Sequence, residues 1–135
     1  MFIGIDIGTS EVKVLLLAPD HRVLGSAGTA LTVQRPHPGH SEQNPQDWWT
    51  ATLSALAQLR VAHPTEFAAV QAIGLSGQMH GAVLLDAQDR ILRPAILWND
   101  TRCATECTEM MAELPSLPDL GGSLAMPCLL YTSDA

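Results

Sequence analysis

The sequence predicts an α/β fold, a mixed sheet with helices packed on it. Three observations carry this expectation. Ile3, Ile5 and Ile7 alternate with Gly4 and Asp6 at the period of two that belongs to an extended chain. The stretch "NPQDWWTATLSALAQLRVAH" instead spaces its apolar residues as a helix does. Another strand-like run, "VQAIGLSG", follows that helix, so strands and helices alternate along the chain.

The first two strands are read at Phe2 to Ile7 and Val12 to Leu17, and a third from Val23 to about Val33. Between the second and third, "APDHR" supplies Pro19-Asp20 turn chemistry, so the sheet should begin antiparallel. "QRPHPGHSEQNP" is rich in Pro, Gly and polar residues and reads as a surface loop without a regular ladder. The helix after it can be capped by Asn44, tolerates Pro45 in its first turn and places Asp47 at its positive end. Its apolar stripe is expected along Trp49, Leu53, Leu56, Ala57 and Leu59.

"VQAIGLSGQMHG" should rise as a buried strand into a glycine-flanked loop, and "AVLLDAQDRILRPAILW" should form a second hairpin turning at Asp86 to Arg90. Asn99, Asp100 or Thr101 can cap a last helix running to about Leu114, with Pro115, Pro118 and Gly121-Gly122 ending regular structure. No internal repeat is present.

Bulk properties exclude several classes. The 135 residues fit one ordinary domain, and 47% hydrophobic content suffices for a core. Fourteen acidic against seven basic residues give a net charge of -7, which repels a phosphate backbone, so nucleic acid is not an expected partner. No apolar run approaches the roughly 18 residues of a spanning helix. The N-terminus also lacks the basic region and cleavage site of a secretory signal, so the expected location is cytoplasmic, with no membrane partner. Three cysteines make no even disulfide framework, and Cys103 and Cys107 lie four apart, on one helix face rather than in paired CxxC motifs.

Two stretches carry chemistry. In "DIGTSEVK", backbone N–H groups of a Gly8-Thr9-Ser10 turn can point into one concavity and bind a phosphate, with two hydroxyls and Lys13 as further donors. Asp6, on the polar face of the strand just before, can hold Mg2+ through water, because that ion keeps much of its hydration shell. The pattern is neither a Walker A loop nor GxGxxG, and by itself it equally suits a turn capped by Asp6. In "GQMHG", an imidazole that donates from one nitrogen and accepts at the other suits a polyhydroxylated ligand, although a single His at a strand end is often structural.

"GIDIGTSEVK" resembles the first phosphate motif of the sugar kinases related to actin and hexokinase. "VQRPHPGHSEQNPQDWW", "GLSGQMHG" and "RPAILWNDTR" resemble stretches of the carbohydrate kinase family that contains glycerol kinase, gluconate kinase and xylulokinase. The correspondence runs from Met1 to about Pro127.

The resemblance implies a ribonuclease-H-like mixed sheet of the actin and hexokinase type with flanking helices. Residues 1–127 would be part of an incomplete N-terminal lobe, with ATP and sugar bound in the cleft between two lobes. It assigns Gly8, Thr9, Ser10 and Lys13 to the ATP phosphates and Asp6 to Mg2+ through water, while Glu11 must turn its charge away. Met79 and His80 match the sugar-contacting pair of the xylulokinase branch, where glycerol kinases carry Arg-Glu and gluconate kinases more often follow the His with Ser.

The implied reaction is ATP-dependent phosphorylation of D-xylulose to D-xylulose 5-phosphate. The alternatives are gluconate or another pentulose as substrate, or a non-catalytic sugar-binding module. A ribonuclease-H-type nuclease would need several carboxylates converging on Asp6, and the acidic surface speaks against it. The family's catalytic Asp and adenosine segment are expected beyond residue 135, so no catalytic residue is assigned and the 135-residue chain is expected to be inactive. A homodimer of the complete protein is left open. "CLLYTSDA", residues 128–135, departs from the family pattern and is expected to be a non-native or disordered tail.

Three further expectations concern placement. The Gly8 to Ser10 amides should be unpaired and open, and His80 should share a wall with Trp98 or Asp100. Trp48, Trp49 and Trp98 should pack in the core or a hinge rather than stack on sugar.

Overall fold

The computed structural model describes residues 1–122 and Ala125, so the tail expected at residues 128–135 lies outside the described residues. The chain divides into two compact units, Met1–Thr32 with Pro45–Gln78, and Val33–Asn44 with the described residues from Met79 on.

The first unit is a four-stranded mixed sheet in the order β3-β2-β1-β5, where β1 is Phe2–Ile7, β2 Glu11–Leu17, β3 Val23–Ala30 and β5 Ala72–Gly77. β1 pairs antiparallel with β2 and parallel with β5. The expected mixed sheet is therefore present, and its start is antiparallel as the Pro19-Asp20 turn implies. The turn closes through the Ala18 and His21 amides, which donate to Arg22 O and Ala18 O, with His21 at a φ of 65°. β3 ends three residues short of the expected Val33.

Alternation in β1 and β2 produces a continuous apolar face. The register pairs Ile3 with Leu16, Ile5 with Val14 and Ile7 with Val12, and all of these except half-buried Ile7 are buried. Helix α1, Pro45–Ala62, packs on β2 and β3 and reaches β1. Its inner face is Ala51, Thr52, Ala55 and Leu59; of the expected stripe Leu59 is buried and Leu56 packs against the core, whereas Trp49 and Leu53 are turned out, Trp49 59% exposed. The reason is size: two alanines facing the sheet let the helix backbone approach closely, whereas an indole there would hold it off. At Gly25 of β3 an added Cβ would lie 2.5 Å from Nε2 of His63, the residue that follows the helix.

β5 corrects a second expectation. It was expected to be buried, yet all six of its residues are exposed, Leu75 at 77%. Ile73 and Leu75 stand in register with buried Ile3 and Ile5. α1 packs over the β1 to β3 side of the sheet, so the same apolar pattern is covered on β1 and bare on β5. Helix α2, Pro64–Ala68, packs on α1.

The second unit is built from short antiparallel pairings. β4, Glu42–Gln43, pairs with β6, Ala95–Ile96, and single bridges join Gln34 to Glu42 and Ala82 to Ile96. The stretch read as a surface loop thus holds a small ladder, and its Ser41 and Gln43 are fully buried. The hairpin expected at Asp86 to Arg90 is present, closed by the Asp86 amide donating to Arg90 O and a bridge from Leu85 to Ile91.

Helix α3 is Ala104–Glu113, with Cys103 at its N-cap and no side-chain cap bond. The expected caps Asn99, Asp100 and Thr101 lie before it, and all three are engaged elsewhere: Asn99 Oδ1 accepts from Ser41 Oγ, the Asp100 carboxylate accepts from the Ser41 amide, and Thr101 Oγ1 donates to Gly39 O. A further short helix, α4 at Leu117–Gly121, lies where regular structure was expected to stop, Pro118 being admissible in a first turn.

Candidate functional site

In the parallel register, Ile7 of β1 stands opposite Gly77 of β5, so the two strands end at the same level. The carboxyl ends of parallel strands are where α/β sheets bind ligands, because the chain there leaves the ladder and frees polar groups. Here they carry the Gly8-Thr9-Ser10 turn and Gln78.

The sheet face opposite α1 carries Asp6, cross-strand from Lys13 on β2 and in register with Ser76 on β5. Gly4 and Gly74 are also opposite one another, and an added Cβ at either would meet nothing within 4 Å. The result is an open groove of about 410 Å³ lined by Gly4, Asp6, Lys13, Leu15, Gly74 and Ser76 among others. Asp6 is exposed there. Among the described residues no group of three or more His, Cys, Asp or Glu is placed to hold a metal ion. A single carboxylate fits Mg2+, which binds through one or two carboxylates with waters and substrate phosphates completing its shell.

The turn departs from expectation at Gly8. The Gly8 amide is not open: it donates to Glu11 O at 3.0 Å, because the β1–β2 hairpin needs that bond to close. The Thr9 hydroxyl donates to Gln78 Oε1 at 2.9 Å. Lys13 Nζ lies 2.8 Å from Glu11 Oε1, both half-exposed. The Glu11 carboxylate, by hydrogen bond and by charge, together with Asp6 holds the Lys13 ammonium above its ordinary value despite slight desolvation. Lys13 is thus a firmly charged cation beside Asp6, and Glu11 is its tether.

In the second unit Met79 and His80 are exposed, and His80 has a φ of 56°. A non-glycine residue in that region carries strain that surrounding structure must hold, and such residues concentrate at ligand loops as well as turns. The Ala82–Ile96 bridge lies two residues after His80 and two before Trp98, which puts these positions at the same end of the pairing. Trp98 is 46% exposed and Trp49 59%, so neither takes the core place that was one of the two expected for them.

Local sequence offers Asp100 as one of three helix caps, two residues before Arg102. The structure makes Asp100 and Arg102 a buried cluster, with Asp100 1% exposed. Arg102 Nε and one terminal guanidinium nitrogen donate to the Asp100 carboxylate at 2.9 and 2.7 Å, and that terminal group also reaches Glu42 Oε1 at 2.6 Å. The Ser41 amide donates to Asp100 Oδ2 at 2.6 Å. Burial alone would raise the Asp100 carboxyl, but the bonds from Arg102 and Ser41 and the guanidinium charge outweigh it and hold the group below its usual range. Arg102 is pushed above its ordinary value, chiefly by Asp100 and then, against burial, by Glu42. Gly39, at a φ of 81°, accepts from the Thr101 amide, and a Cβ there would sit 2.9 Å from Thr101 Oγ1. The cluster pins the "GHSEQ" and "WNDTR" segments to each other.

Sequence reasoning missed Ser76 and assigned nothing to Gln78. Both are ordinary polar residues whose placement depends on the β1–β5 register, a pairing across about seventy residues that local pattern does not reveal.

A ribonuclease-H-like mixed sheet with a phosphate-type turn and a carboxylate at its strand ends is the lobe architecture of sugar kinases of the actin and hexokinase type. Residues 1–127 match the N-terminal domain of the FGGY family of carbohydrate kinases, and the chain belongs to that family. It is 54% identical over 127 residues to the xylulose kinase of Escherichia coli K12, covering 94% of this chain and 26% of that protein. It is 44% identical over 108 residues to the xylulose kinase of Bacillus subtilis 168, covering 80% of this chain and 22% of that protein.

Among solved structures, a xyloylose kinase from Brucella ovis superposes with a TM-score of 0.87 at 52% identity, over 93% of this chain and 26% of that one. Xylulose kinase from Rhodospirillum rubrum superposes at 0.77 with 34% identity, over 82% and 23%. The chain thus spans about a quarter of the length of these relatives.

Proposed function

We propose that this chain forms part of the N-terminal lobe of an ATP-dependent kinase that phosphorylates D-xylulose to D-xylulose 5-phosphate in the cytoplasm. The observation that carries the reading is its 54% identity to a xylulose kinase over 127 residues, a span that includes "DIGTSEVK" and "GQMHG".

In this reading the Gly8-Thr9-Ser10 turn and Lys13 face the ATP phosphates. The Lys13 charge is kept in place by Glu11 at the edge of the site. Asp6 would hold Mg2+ through water, and the ion would supply neutralisation of phosphate charge. Met79 and His80 bind the sugar, His80 offering a donor and an acceptor to neighbouring hydroxyls. The residue that takes the proton of the attacking hydroxyl is not assigned to this chain, and no carboxylate among the described residues is promoted to that role.

The test is a chimera in which residues 1–127 replace the matching segment of the Escherichia coli xylulose kinase. It should release ADP in the presence of xylulose and Mg-ATP, and His80→Ala should raise the xylulose KM at least tenfold while moving the ATP KM little. A chimera that prefers gluconate, or a His80→Ala variant with unchanged xylulose KM, refutes the assignment.

A further inference from the structure

Gln78 belongs by position to the sugar motif "GQMHG", immediately before Met79 and His80. Its side chain is engaged with the other motif. Gln78 Oε1 accepts the Thr9 hydroxyl at 2.9 Å, and the Gln78 amide donates to Ile7 O at 2.8 Å, so backbone and side chain both attach it to the residues flanking Gly8. The contact is part-buried and spans 69 residues of sequence.

From these bonds we infer that Gln78 is a positioning residue for the nucleotide-phosphate turn. It fixes the Thr9 rotamer, and with it the path of the Gly8-Thr9-Ser10 backbone.

The hairpin closes the turn with a bond from the Gly8 amide to Glu11 O. A turn that is to present amides to a phosphate must be held from outside, since amides bound within it are lost to the ligand. The Thr9–Gln78 bond does this with a side chain and so consumes no turn amide. It also directs the Thr9 hydroxyl hydrogen to Gln78. Thr9 thus shapes the site more than it donates to phosphate.

The inference rests on the proposed kinase reading, and two measurements keep them separable. In the chimera, Gln78→Ala should raise the KM for ATP roughly two- to tenfold, the range one intramolecular hydrogen bond is worth, and change the KM for xylulose less than twofold. Thr9→Val should do the same, the double variant should add nothing further, and Thr9→Ser should restore the parent value. A KM change confined to xylulose, or additive effects, overturns the inference.

In the 135-residue chain, amide hydrogen exchange supplies a readout without catalysis. Gln78→Ala should speed exchange at Gly8, whose amide is held on Glu11 O, by a similar factor, and Gln78→Glu, which keeps an acceptor at the same reach, should not. Equal exchange in all three proteins overturns the inference. If the chimera does not phosphorylate xylulose, the kinase reading falls while exchange still decides the link.

Discussion

Replacing Asp100 by Asn tests the buried cluster with almost no change of shape. The carboxylate accepts four bonds: Ser41 N and a guanidinium nitrogen on Oδ2 at 2.6 and 2.7 Å, and the Arg102 amide and Nε on Oδ1, both at 2.9 Å. An amide offers one oxygen, so two donors keep an acceptor and two face an NH2 group. Hydrogen bonds to charged groups contribute roughly 1.5 to 3 kcal/mol each, and breaking a buried ion pair costs about 3 to 5 kcal/mol. The two descriptions overlap and are not summed, so the expected loss is about 3 to 5 kcal/mol.

Domains are stable by only about 5 to 15 kcal/mol, so the effect is a large fraction of the total. With Trp48 and Trp49 changed to Phe, Trp98 reports on the second unit alone. Its urea midpoint at pH 7 should fall by about 1 M or more at ordinary m values. A shift below about 0.3 M would mean the cluster contributes no more than an exposed ion pair.

The same cluster should make the second unit acid-sensitive. With its pKa depressed in the native state, Asp100 contributes fully above its unfolded value of about 3.9, and that contribution is lost as pH falls below it towards the native pKa. Trp98 fluorescence against pH should show this loss, and the Asn variant should show less of it; identical acid profiles refute the assignment. In the first unit, Leu59→Ala removes a side chain 2% exposed against the sheet and should cost about 2 to 5 kcal/mol by urea unfolding. Gly25→Ala drives a methyl into the His63 ring and should cost about 1 to 3 kcal/mol, unless His63→Ala relieves it. The 135-residue chain, supplied with Mg-ATP and xylulose, should release no ADP above a no-enzyme control; sugar-stimulated release would overturn the expectation that the catalytic group lies outside it.

Local pattern determined the strands β1 and β2, the turn at Pro19-Asp20 and the helix after Pro45, since each depends on neighbours within a few residues, and it singled out "DIGTSEVK" and "GQMHG" by residue type. Family resemblance extended this to a fold and a set of residue roles. Three things were decided only by tertiary structure. Which face of α1 turns inward depended on Ala51 and Ala55 fitting the sheet, and hydrophobicity alone pointed to Trp49. The exposure of Ile73 and Leu75 depended on where α1 lies, because an alternating pattern does not say whether a layer covers it.

The partners of Asp100 and Gln78 lie 59 and 69 residues away, at Ser41 and Thr9. A hydrogen bond is decided by position to within a fraction of an ångström. Sequence spacing carries no such information between residues that meet only when strands pair. The residue types for these contacts were legible from the start, but their connections were made by the fold.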